Sequence, residues 1–101
     1  GATATHNNSD YRLKNNIVSI TGGLEKIVAL NPVTFKYKTH PNATHEGFIA
    51  HEVQEAGCNY AVFGDKDADE MQTMAITQLI PQMVSAIKEL SAKVEALENA
   101  N

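Results

Sequence analysis

Seven apolar side chains near the C-terminus, Ile76, Ile80, Met83, Ile87, Leu90, Val94 and Leu97, follow one another at intervals of 4, 3, 4, 3, 4 and 3 residues. Alternating threes and fours keep apolar groups on one face of a helix, so this stretch is expected to form the helix of a coiled coil or bundle. No other stretch of the 101 residues promises a helix of comparable length to cover the seam. Its burial must therefore come from other copies of the chain. In heptad terms Ile80, Ile87 and Val94 fall at a, and Met83, Leu90 and Leu97 at d. Those identities alone tolerate a two-stranded coil. Lys93 at g and Glu98 at e stand five apart, the separation that joins neighbouring helices of a parallel assembly. Such an exposed pair contributes only about 0.2–1 kcal/mol and sets register more than stability.

Pro81 interrupts this pattern, because proline lacks the N–H that a helix interior needs. Three outcomes are open: residues 76–80 form a separate first turn, the helix bends at Pro81, or the helix starts near Pro81, where proline is favourable.

Upstream, Leu24, Ile27 and Val28 recur at helical spacing before Leu30 and the Asn31-Pro32 stop, which predicts a short amphipathic helix over 23–30. Val33, Phe35 and Tyr37 alternate with Thr34, Lys36 and Lys38, the period of a half-buried strand. Residues 39–44 read as a connecting loop, and 47–50 as a strand pairing with the previous one. Residues 51–56 read as a short helix closed at Gly57. Residues 60–63 and 71–74 are expected as strands flanking an acidic turn at 64–70. The expected fold class is α+β, a small antiparallel sheet with short helices followed by a long C-terminal helix. Three regions result: 1–8 as linker or end of an upstream segment, 9–75 as the body, and 76–101 as the assembly helix.

Composition narrows the partners. There is no Trp, and three Phe and three Tyr, so the core must be aliphatic. A net charge of −4 argues against nucleic acid, because phosphate contacts need clustered Lys and Arg. No run of eighteen apolar residues and no basic-plus-hydrophobic leader stands in the chain, so neither a membrane span nor a signal peptide is expected. Cys58 is the only cysteine, which fits assembly in a reducing cytoplasm.

Residues 9–14 read S-D-Y-R-L-K and place the Ser9 hydroxyl five residues ahead of the Lys14 amine. A serine hydroxyl is a weak nucleophile at neutral pH, and an amine can take its proton only where burial or a neighbouring charge favours the neutral form. One bend brings residues five apart within reach, and Asn15-Asn16 supplies turn-forming residues. Arg12 is a nearby cation, and His6, three residues before Ser9, is a second group that could assist proton transfer. Asp65-Lys66-Asp67-Ala68-Asp69 begins like a calcium loop, but Glu70 and Ile76 occupy the sites of its required Gly and Glu. His40, His45 and His51 lack ligand spacing. No metal and no cofactor is expected.

Four segments in order, S-D-Y-R-L-K-N-N-I, G-L-E-K-I-V-A-L-N-P-V-T-F-K-Y, G-F-I-A-H-E-V-Q-E-A and L-I-P-Q-M-V-S-A-I-K-E-L-S-A-K-V-E-A-L-E, resemble the intramolecular chaperone auto-processing domain that ends many bacteriophage tailspikes, tail fibres and endosialidases. The resemblance runs from about Ser9 to Leu97; His51 departs from the glutamine expected at its position. It implies a homotrimer that helps an upstream fibre of the same polypeptide to fold, then releases itself as a single-turnover serine endopeptidase. On that resemblance Ser9 and Lys14 form the catalytic dyad, and the cut falls between Ser9 and Asp10. The protein would be made in the bacterial host's cytoplasm as the precursor of a virion tail fibre or tailspike.

The implied cut raises a chemical difficulty, since Ser9 Oγ attacking its own carbonyl would close a four-membered ring. Attack on the Asn8 carbonyl by an N-to-O shift, attack across subunits and an activated water all avoid it. A second function class remains open, a trimerisation and folding module that does not cut itself.

Overall fold

The computed structural model describes residues 8–100. His6 and most of the expected linker lie outside the described residues. A surface arm leads from Asn8 to Gly22, broken only by a 3-10 turn at Tyr11–Leu13. Gly22, at φ 78°, adopts the left-handed conformation that glycine tolerates and turns the chain into α1, Gly23–Ala29. Leu24 and Ile27 are half-buried there while Val28 faces solvent. The helix stops at Leu30, whose backbone is extended, just before Asn31-Pro32.

Strand β1, Val33–Tyr37, follows with Val33 and Phe35 turned inward, as alternation predicts. Its partner differs from the expectation. Residues 39–44 are no loop: β2 runs His40–Gly47, antiparallel to β1, after a two-residue turn at Lys38 and Thr39. The register pairs Val33 with Gly47, Phe35 with His45 and Tyr37 with His40, with an irregularity between Phe35 and Tyr37. In a two-stranded sheet both strands are edges, so Pro41 sits in the ladder at little cost. The expected strand at 47–50 is correspondingly shifted, because α2 already begins at Ala50 and runs to Glu55. Gly57, at φ 97°, follows that helix.

A 3-10 turn at Asn59–Ala61 takes the first half of the strand expected at 60–63, leaving β3 as Val62–Phe63, paired with β4, Thr73–Met74. The fold is α+β, with its strands divided between two two-stranded sheets instead of one. Val53, Cys58, Ala61, Val62 and Leu79 form the buried core, with Leu30, Phe48, Ala50 and Met74 packed against it.

The question at Pro81 resolves without a bend. Ile76–Leu79 form a separate 3-10 turn, and α3, Ile80–Glu98, carries Pro81 in its first turn, where the missing N–H has no helical partner to lose. Helix α1 packs along α3. Gln82, Ser85 and Ala86 of α3 are buried, and the buried Gly23 of α1 meets Ser85 there. A Cβ added at Gly23 would lie 2.5 Å from the Gln82 carbonyl oxygen, so the close approach of the two helices requires glycine. The expected seam lies on another face of α3 and stays open in the single chain, Ile87 at 66% and Leu97 at 73% exposure. Among the described residues no helix is long and apolar enough to cross a membrane.

Candidate self-processing site

The geometry at residues 9–14 starts with Asp10. Its backbone is extended and its carboxylate caps the 3-10 turn, Oδ1 accepting from the Arg12 backbone N–H at 2.9 Å. The same carboxylate receives the Arg12 guanidinium in a forked pair, Nε to Oδ1 at 2.9 Å and Nη2 to Oδ2 at 3.0 Å. Leu13 N–H donates to the Asp10 carbonyl at 3.0 Å and Lys14 N–H to that of Tyr11 at 3.1 Å, completing the turn. The chain is extended again at Lys14, and Ser9 and Lys14 face one another across the bend. Lys14 Nζ donates to Ser9 Oγ at 2.7 Å.

The bend that joins them is Tyr11–Leu13; Asn15-Asn16, the expected turn residues, lie beyond it, with Asn16 at φ 52°. The Arg12 side chain, then its backbone N–H, hold the Asp10 carboxyl below the usual carboxylate range. Asp10 in turn raises Arg12. Arg12 is thus engaged by Asp10. His6 lies outside the described residues.

Both side chains are exposed, as are Tyr11, Leu13, Ile17 and Val18 along the same arm. As drawn, the ammonium donates and the hydroxyl accepts. Loss of one lysine proton reverses the bond, so that Oγ–H donates to Nζ and the oxygen gains nucleophilic character. The arrangement can therefore pass a serine proton to the amine without moving a heavy atom.

The other expected chemistries have less geometry behind them. His45 stacks on Phe35, ring centroids 5.5 Å apart, as part of the β1–β2 aromatic cluster. Asp67 pairs with Lys66 on an exposed turn. Among the described residues no group of three or more His, Cys, Asp or Glu side chains is placed to hold a metal. A groove of about 740 Å³ lined by Phe35, Tyr37, His45, Phe48, Met74 and Ile76 includes neither Ser9 nor Lys14.

Sequence reasoning missed one polar cluster. Gly23 N–H is shared between Ser85 Oγ at 3.2 Å and Glu89 Oε1 at 2.9 Å, and Ser85 Oγ also lies 3.4 Å from the Ile20 carbonyl. Ser85 and Glu89 read as an ordinary polar helix face, and only the Gly22-Gly23 pair hinted at a close approach.

A family model described as chaperone of endosialidase, a peptidase family, matches residues 9–63, more than half of the chain. The match begins at Ser9 and includes Lys14, while α3 lies beyond it. No curated protein matches the chain.

Proposed function

The chain belongs to the chaperone of endosialidase family, and from that premise we propose that it trimerises through α3, assists folding of a phage tail fibre or tailspike preceding it in the same polypeptide, and then cuts the junction at Ser9–Asp10. The observation that carries the cutting step is the 2.7 Å contact between Lys14 Nζ and Ser9 Oγ. In this reading the neutral Lys14 amine accepts the Ser9 proton. Ser9 Oγ attacks the Ser9–Asp10 bond of a neighbouring copy, a route that avoids the four-membered ring; the Lys14 ammonium returns the proton to the departing Asp10 amine, and water hydrolyses the ester left on Ser9.

The open seam supports the assembly step. Ile80, Met83, Ile87, Leu90, Val94 and Leu97 all stand in water on the single chain. Fully burying a side chain of this size is worth roughly 1.5–3 kcal/mol, so covering the row drives association strongly. A C-terminal trimer holds three fibre ends at high effective concentration, which helps a β-rich fibre find its register before long-range contacts form. Cutting afterwards leaves the mature fibre without the nucleus that assembled it, and so kinetically trapped.

Mass spectrometry of the purified longer polypeptide tests the reading. A fragment beginning at Asp10 is expected. A single uncut species after complete assembly would instead assign the chain to trimerisation and folding without self-cleavage.

A further inference from the structure

The arm that carries Ser9 and Lys14 is exposed along its length, and its side chains from Tyr11 to Val18 offer the body no anchor. Among the described residues, the hydrogen bonds at the junction of the arm with α1 converge on two side chains of α3. Ser85 Oγ lies 3.4 Å from the Ile20 carbonyl, Glu89 Oε1 lies 2.9 Å from Gly23 N, and the two side chains lie 3.2 Å from each other. Ser85 has one hydroxyl proton and two acceptors in reach, so it donates to Ile20 or to Glu89 at any moment while accepting from Gly23. Glu89 also places a carboxylate at the first turn of α1, where the helix dipole favours negative charge. The cluster is half-buried or buried, in contrast to the dyad.

The same helix carries the open seam. Ile87 and Leu90 flank Glu89 in sequence, Ile87 exposed at 66% and Leu90 at 51%. A shift or rotation of α3 that accommodates partner helices therefore moves the attachment point of the arm directly.

We infer that Ser85 and Glu89 are positioning residues for self-cleavage: they hold the junction of the processing arm and α1 against α3, so that packing of the seam bears on where Ser9 and Lys14 stand. This deepens the proposed function and rests on it. Neither residue touches the reacting atoms. Their effect is on the geometry of the arm, where displacements on the order of 1 Å cost up to a hundredfold in rate.

The test uses the full polypeptide with its upstream fibre, in parent, Glu89→Ala, Glu89→Gln and Ser85→Ala forms. Assembly is measured by sedimentation, and the first-order cleavage constant is measured on assembled material alone across a pH series. Glu89→Ala trimers are expected to cut roughly ten- to a hundredfold more slowly. Glu89→Gln, which keeps an acceptor for Gly23 N–H, should return near the parent rate. The shape of the pH profile should be unchanged, because Lys14 is untouched. An assembled Glu89→Ala trimer cutting at the parent rate overturns the inference, as does a Gln variant as slow as the Ala one. Should Glu89→Ala fail to assemble, Ser85→Ala carries the same comparison, and a parent rate there is equally fatal. A second measurement does not depend on cutting: in Ser9→Ala chains, adding Glu89→Ala should speed amide exchange at Gly23 and leave the middle of α3 protected. Unchanged exchange there overturns the anchor. A parent polypeptide that assembles but stays whole defeats the self-cleavage reading and the positioning role together, whereas parent cutting with an insensitive Glu89 defeats only the latter.

Discussion

Lys14 Nζ donates to Ser9 Oγ at 2.7 Å across a turn whose cap is Asp10, the residue on the far side of the proposed cut. Replacing either dyad member by Ala should abolish cleavage, and general-base loss alone is worth roughly 10²–10⁴ in rate. Both side chains are exposed and remote from the seam, so stability should change by no more than about 0.5 kcal/mol. Unboiled SDS gels should show an uncut trimer. Cleavage of Lys14→Ala at the parent rate would remove the amine from the mechanism.

The cleavage rate should rise with pH, because only the neutral amine accepts the serine proton. The first-order rate constant is measured on assembled material across a pH series. A flat profile would exclude a lysine base.

Asp10 should hold its turn well into acid. A carboxyl held low by Arg12 lends stability that is complete above its ordinary value of 3.8 and disappears as pH falls through the lowered value. Arg12, raised by the same pair, stays charged throughout. The amide shift of Arg12 in uncut Ser9→Ala protein should therefore titrate below 3.8; a transition above it would show that the capping pair is not formed in solution.

Ile87→Asp and Leu90→Asp should separate folding from assembly. Both positions are exposed in the single chain, so its helix content by circular dichroism should persist. In a closed seam an unpaired carboxylate costs several kcal/mol per chain. Sedimentation should report monomers, and cleavage should fall with assembly. Trimers of parent stability would place the interface elsewhere.

Gly23→Ala should destabilise the chain by about 1–3 kcal/mol, the usual cost of forcing extra atoms into a packed contact. The added methyl would meet the Gln82 carbonyl oxygen at 2.5 Å and Ser85 Cβ at 2.7 Å. Thermal unfolding reads this directly, and an unchanged midpoint would mean that α1 and α3 separate easily.

Local patterns carried most of what could be read before folding. The helical spacing of Leu24 and Ile27, the alternation of Val33 and Phe35, and the Ser9–Lys14 interval all concern neighbours in sequence, and the structure realises each. Strand β2 was hidden because His40, Pro41 and Asn42 have no strand character of their own; pairing with β1 supplies it. The Ser85–Glu89–Gly23 cluster spans 62 and 66 residues, and polar side chains on a helix do not announce which long-range donor they will meet.

The locality of the Ser9–Lys14 contact fixes the fate of the site. The two groups belong to one short turn, and a cut at Ser9–Asp10 assigns the hydroxyl to one product and the amine to the other. Neither fragment then carries a working pair. Each cut disarms the copy that is cut, so chaperone released in this way, beginning at Asp10, would carry no Ser9–Lys14 pair able to attack other proteins.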